Sequence, residues 1–173
     1  MNFLLDLQAL QSDSRARGIG RYSRGLAGAI LQQSPDKISV LVNLSHADFE
    51  EVEYWLDGRV ARDRVRVFHG LKRIRGMDDQ NQARARACEA LYDAFVRSLG
   101  VDLVHILSPF DGFGDDTVMG WTELCRQGPI RAATVHDLIP FAMPKLYLTS
   151  PIKDSWYHRR LQRLAGADLL LTI

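Results

Sequence analysis

Six short apolar runs alternate along this chain with longer segments of helical pattern, and that alternation limits the fold more than any other feature. The runs are "NFLLDL" (2 to 7), "KISVLVN" (37 to 43), "VRVF" (65 to 68), "VDLVHIL" (101 to 107), "IRAATV" (130 to 135) and "DLLLTI" (168 to 173). Runs of this kind read as buried strands. Between them, Ile19, Tyr22, Leu26 and Ile30 share one helix face, and Cys88, Leu91, Phe95 and Leu99 share one in the segment from about 79 to 99. The pattern predicts further helices over about 47 to 57 and about 152 to 165, the latter with Tyr157, Leu161 and Leu164 in line and Gly166 at its end. The expected class is α/β, a Rossmann-like three-layer sandwich with a mostly parallel sheet.

At 173 residues, 46% hydrophobic and 25% charged, the chain suits one globular domain over 1–173 with a sizeable core. A net charge of +1 gives no bulk attraction to nucleic acid or to an anionic membrane. Cys88 and Cys125 belong to no C-x-x-C or C-x-x-H pattern, which leaves a disulfide framework or a zinc site little support and fits a reduced setting. The start "MNFLLDLQ" reaches acidic residues too soon for a signal peptide, and no apolar run nears the roughly 20 residues that cross a bilayer. The expected location is the cytoplasm, with at most peripheral contact at the inner face of the plasma membrane. The last strand stops at the final residue, where an open α/β sheet would place a site residue, and this reads as truncation of a longer protein.

The stretch "SDSRARGIGRY" (12 to 22) lies between the first strand and the first helix. Free backbone N–H groups and the positive end of a helix dipole meet anions at such a junction. Gly18 and Gly20 would let a phosphate approach the backbone, and Arg15, Arg17 and Arg21 add positive charge. The same residues also fit a plain turn with solvated arginines. They do not fit a dinucleotide fingerprint: Ser23 stands where its third glycine belongs, and the second strand ends in Asn43 rather than an acid for the ribose. The absence of G-K-[ST] removes a P-loop.

Three other stretches carry candidate chemistry. In "TVHDLIPFAMPKLY" (134 to 147), His136 and Asp137 follow a strand directly, and Pro140 and Pro144 are expected to impose extended or turn geometry. The pair also fits a histidine satisfied by backbone carbonyls beside an aspartate capping a turn. In "LSPFDGFGDDTV" (107 to 118), Phe110 or Phe113 could wall a sugar-sized cleft and Asp111 accept a hydroxyl. Equally, Asp115, Asp116 and Thr117 could cap the next helix while the phenylalanines return to the core. The three aspartates have no ligand partner at metal spacing, so no metal is assigned. From 59 to 86, Arg59, Arg62, Arg64, Arg66, Lys72, Arg73, Arg75, Arg84 and Arg86 outnumber Asp63, Asp78 and Asp79. That excess fits a solvated face, or contact with anionic lipid or an acidic acceptor, and no nucleic-acid motif accompanies it.

Taken together, "LDLQALQSDSRARGIGRYSRGLAGAI", "LSPFDGFGDDTV", "TVHDLIPFAMPKLY" and "WYHRRLQRLAGADLLLTI" resemble the amino-terminal half of group 1 glycosyltransferases, the family-four enzymes with the two-domain GT-B fold. The resemblance implies a retaining transferase that moves a sugar, of mannosyl type, from a nucleotide-diphosphate sugar to a polysaccharide or lipopolysaccharide acceptor of a bacterial surface. It implies no cofactor besides that substrate. This chain then looks like the acceptor-side domain. The carboxy-terminal nucleotide-sugar-binding domain has no counterpart here and would be its partner, so the fragment is expected to be inactive alone. Carried over, Gly18, Ile19 and Gly20, with Arg21 beside them, match the loop that approaches the donor diphosphate. His136 matches the site-edge histidine that contacts the donor sugar, and Asp137 the acid beside it. Tyr22, Phe110, Asp111, Gly112 and Phe113 fall on the acceptor side. No D-x-D occurs, in keeping with a family that needs no metal for the diphosphate. The rival reading is a non-catalytic Rossmann-like binding or interaction module, which has no need to bring Gly18, His136 and Asp137 to one wall.

Overall fold

The computed structural model describes residues 1–46, 49–122 and 128–173. Strands β1 (Phe3–Asp6), β2 (Ile38–Asn43), β3 (Val65–Phe68), β4 (Leu103–Ile106), β5 (Ile130–Val135) and β6 (Leu169–Thr172) form one six-stranded sheet in the order β3-β2-β1-β4-β5-β6. All five pairings are parallel. The α/β Rossmann-like class expected from the alternation is therefore the one found, with strand ends within two residues of the apolar runs.

Successive strand residues point to opposite faces, so each apolar run feeds two cores. Leu5, Val40 and Val42 pack on one side with Ala27 and Leu31 of α1 (Gly18–Gln33) and Val52 and Leu56 of α2 (Phe49–Leu56). Leu4, Leu41 and Val104 pack on the other with Cys88, Tyr92 and Val96 of α3 (Gln82–Ser98). Two one-turn helices, α4 (Ile139–Ala142) and α5 (Pro144–Tyr147), lead into α6 (Pro151–Leu164), whose Leu164 reaches Ile106, Ala133 and Val135. Residues 47 and 48, where the second helix was expected to start, and Cys125 lie outside the described residues. Among the described residues no helix is long and apolar enough to cross a membrane.

The helix faces differ from those read off the apolar spacing. In α1 the buried line is Gly20, Ser23, Ala27 and Leu31, while Tyr22 is exposed. Small side chains at 20, 23 and 27 let the helix lie close to the sheet, and Leu26 and Ile30 pack as half-buried flanks. Ser23 thus fills a tight position with a small side chain. In α3, Leu91 is half exposed and two acids are buried instead. The acids are satisfied there: Glu89 pairs with Arg163 at 2.6 Å, and Asp93 accepts the N–H groups of Trp121 (2.7 Å) and Thr122 (2.8 Å). Pro140 and Pro144 sit in the first turns of α4 and α5, where a missing N–H costs nothing, rather than in extended chain.

β6 is the anomaly of the sheet. A parallel strand of Leu169, Leu170 and Leu171 belongs under cover on both faces, yet these side chains are 40–48% exposed along an open edge. An apolar edge strand with unpaired backbone groups is a template for association. We expect the 173-residue chain to self-associate in size-exclusion chromatography at about 10 µM and above, and Leu170→Lys to return it to a monomer. An elution volume that Leu170→Lys does not change would contradict this account.

Candidate functional site

The site is built where β1 ends. Asp6 closes the strand, a single 3-10 turn (Gln8–Leu10) follows, and the chain then runs through 12–17 into α1. A buried polar network anchors this passage. The Asp6 carboxylate accepts the Gln8 backbone N–H (2.9 Å), the Gln8 side-chain amide (2.9 Å) and the Tyr92 hydroxyl (2.5 Å). Gln8 also exchanges bonds with the Val118 backbone (2.9 and 3.0 Å) and accepts from Asn43 Nδ2 (2.9 Å). Gln11 pairs with the Asn43 backbone in both directions (2.8 and 3.0 Å). Burial outweighs these hydrogen bonds and pushes the Asp6 carboxyl up to about 6. Asn43 is fully buried, and its Oδ1 also accepts the N–H of Ser45 (3.0 Å), so it is not presented to a ribose.

The glycine-bearing loop is clamped from the 107–118 segment. Ser12 Oγ and Ser14 Oγ donate to the two oxygens of Asp111, at 2.9 and 2.7 Å, and the Asp13 N–H donates to Asp115 at 2.9 Å. Asp111 is buried, which raises its pKa against the lowering effect of the two serines. It therefore accepts hydroxyls, as its sequence position invited, but those hydroxyls belong to this chain. Asp116 holds the N–H groups of Arg73 and Ile74 (3.1 and 2.8 Å), and Asp115 also holds that of Thr117 (2.8 Å). Asp115 and Asp116 are thus taken up by loop backbone.

Gly18, Ile19, Gly20 and Arg21 form the first turn of α1. The two glycines differ. A Cβ on Gly20 would overlap the backbone of Arg15, so Gly20 serves close packing of the loop against its own helix. A Cβ on Gly18 would meet nothing within 4 Å. Gly18 is exposed at the helix start, and among the described residues no acceptor meets the backbone N–H of Gly18 or Ile19. Arg15 is turned toward Glu51 (3.7 Å), whereas Arg17 and Arg21 are exposed and meet no carboxylate among the described residues.

Tyr22 connects this turn to the end of β5. It lies four residues after Gly18, hence on the same helix face, and its ring meets His136 edge to face at 5.5 Å and 86°. His136 is half-buried, with Nε2 3.1 Å from the Leu107 carbonyl. A carbonyl only accepts, so Nε2 is the donor, and the neutral form of the ring then keeps its lone pair on Nδ1. Asp137 is exposed, and its Oδ1 accepts the Ile139 N–H at 3.0 Å ahead of α4. Phe110 stacks on Tyr157 (4.8 Å), Phe113 packs on Trp156 (5.3 Å) under Lys153, and Gly112 turns the chain at φ 100°. Both phenylalanines thus pack against α6.

The fold is that of a Rossmann-like α/β domain in which a helix N-terminus with two exposed arginines follows β1, and a tyrosine–histidine contact joins that helix to the end of β5. Compared with known proteins, the chain is similar to three curated Escherichia coli proteins, each named serotype-specific mannosyltransferase WbdA. The first is 25% identical over 183 residues, covering 100% of this chain and 21% of that protein. The second is 22% identical over 158 residues, covering 86% of the chain and 18% of the relative, and the third 26% over 101 residues, covering 54% and 11%. The chain thus spans about a fifth of the length of the first two relatives. No protein-family model matches the chain, and no solved structure matches it.

Proposed function

We propose that this chain supplies one wall of the site of a glycosyltransferase, the wall that receives the leaving diphosphate of a nucleotide sugar. The observation that carries the reading is Gly18: exposed, with open space at its Cβ position and a free N–H at the start of α1, it has no packing reason to be glycine. Breaking a sugar–phosphate bond leaves negative charge on the diphosphate. Preorganised N–H groups, a helix dipole and nearby cations stabilise that charge at little reorganisation cost. Arg17 and Arg21 are the cations in reach of this end of the helix, and Nδ1 of His136 is free to accept a sugar hydroxyl. Likeness to mannosyltransferases over the whole chain supports the transferase class and a mannosyl donor.

The finer reading is the one implied by the sequence resemblance. The chain acts as the acceptor-side domain of a retaining group 1 enzyme of GT-B type, transferring to a polysaccharide or lipopolysaccharide without a resident cofactor. A second domain closes the cleft. The rival, a non-catalytic binding module, draws on two contacts, since a purely structural pair would also bond Leu107 through His136 and cap α4 through Asp137.

The test is transfer from a panel of sugar nucleotides by the intact gene product beside its His136→Ala variant. We expect donor-dependent transfer, reduced about 100-fold in kcat/KM by His136→Ala, with the circular dichroism spectrum unchanged. A well-folded intact protein that neither transfers nor hydrolyses any donor would favour the binding module.

A further inference from the structure

Away from the glycine loop, α3 and α6 are joined by Glu89 and Arg163, 2.6 Å apart with side chains only 7% and 14% exposed. One turn earlier on each helix, and so on the same faces, stand Arg86, three residues before Glu89, and Arg159, four before Arg163. Both line a cavity of about 930 Å³ between the two helices and the amino ends of β5 and β6. Arg131 and Arg163 line it as well, so four arginines share a cavity with two carboxylates, Glu89 and Asp168. Glu89 is committed to Arg163, which also donates to the carbonyls of Met119 and Gly120 at 3.1 Å. The other carboxylate lining the cavity, Asp168, accepts the Arg131 N–H at 2.8 Å. Arg159 is half-buried and has no hydrogen bond or ion pair among the described residues. Its burial, together with the charges of Arg163 and Arg86, lowers its pKa against the opposing effect of Glu89.

We propose that this cavity binds a phosphate-bearing anion, with Arg86 and Arg159 engaging the phosphate oxygens. Like charges gathered around the half-buried Arg159 repel, and a bound dianion removes that cost. The guanidinium fork matches two phosphate oxygens at once, and the volume lies in the range of small-molecule sites. The site is separate from the glycine loop: it lies at the opposite ends of the strands, and α1 packs on the other face of the sheet. Of the basic residues between 59 and 86, Arg86 is the one that lines this cavity.

Isothermal titration calorimetry with inorganic pyrophosphate tests this on the wild-type chain, on Arg86→Gln/Arg159→Gln and on Arg17→Gln/Arg21→Gln. A binding event kept in the Arg17/Arg21 variant and weakened at least about tenfold in the Arg86/Arg159 variant is expected. The latter should melt no lower than wild type without anion, because a repulsion has been removed. Flotation with phosphatidylglycerol vesicles separates two sources of the phosphate. Capture lost in the Arg86/Arg159 variant assigns it to a lipid headgroup, and pyrophosphate binding without capture assigns it to a soluble ligand. Equal pyrophosphate affinity and equal capture in wild type and the folded Arg86/Arg159 variant, including none in either, would overturn the proposal. If the double variant does not fold, Arg86→Gln alone, on an exposed side chain, makes the same comparison.

Discussion

Gly20→Ala is expected to destabilise the chain by about 2 kcal/mol, because the new Cβ would overlap the carbonyl and Cα of Arg15. Backbone atoms cannot swing aside as a long side chain does, so the 12–17 loop must lift from α1. That movement stretches the Gly20 N–H bond to the Ser14 carbonyl (3.2 Å) and the Ser14 hydroxyl bond to Asp111. For a chain of this length the loss corresponds to a melting temperature lower by about 4–8 °C. Gly18→Ala, two residues earlier, has open space and should leave the melting temperature unchanged or slightly raised. The pair separates architecture from ligand contact: on the proposed function, Gly18→Ala should weaken sugar-nucleotide binding without lowering stability. Equal melting temperatures for Gly20→Ala and wild type would show that the loop is not seated as described.

The second large effect is a pair of opposed pH dependences. Asp6, 2% exposed, is pushed up to about 6 by burial, so the folded state holds a proton there that the unfolded chain has released. Between pH 4 and 6 this group makes stability fall as pH rises, by about 3 kcal/mol in all. His105, 7% exposed and bonded to Thr134 at 2.9 Å, is pushed down to about 4 by burial. The unfolded chain then binds the extra proton, and between pH 4 and 6.5 stability rises with pH by a similar amount. The two slopes oppose each other in one window. Urea denaturation at pH 4, 5, 6 and 7 should therefore show stability falling with pH in His105→Gln, where Asp6 acts without its counterpart, and rising with pH in Asp6→Asn. Parallel curves for the two variants would mean that neither group titrates as its burial dictates.

The sheet was legible because its signal is local. A parallel strand must be apolar over its whole length, and each of the six runs announces that within a few residues. Helix orientation was less legible: the large apolar residues of α1 are flanks, and the contact line of Gly20, Ser23 and Ala27 looks unremarkable until the sheet is in place. The site was readable in part. The glycine loop opens α1, as its place between strand and helix suggested, whereas the contact of Tyr22 with His136 across 114 positions was not read from either stretch. What holds the loop was not readable, since Gln8 finds Val118 110 positions away and Ser12 finds Asp111 99 positions away. Nothing local marks either partner. Asp111 looked like a ligand residue for the same reason: a carboxylate in a glycine-rich loop reads alike whether its hydroxyl comes from a sugar or from Ser12 and Ser14.

The strand order also sets a timetable for synthesis. β1 sits between β2 and β4, and its second neighbour begins 100 residues later, where Phe3 pairs with Leu103. At about 5–20 residues per second, a ribosome takes roughly 5–20 s to supply that partner. For this interval one side of "FLLD" has no neighbour, and the polar network around Asp6 lacks Val118 altogether. The nascent half-chain therefore exposes an apolar strand edge that the finished sheet covers, and a holding chaperone has its natural window before residue 103 emerges.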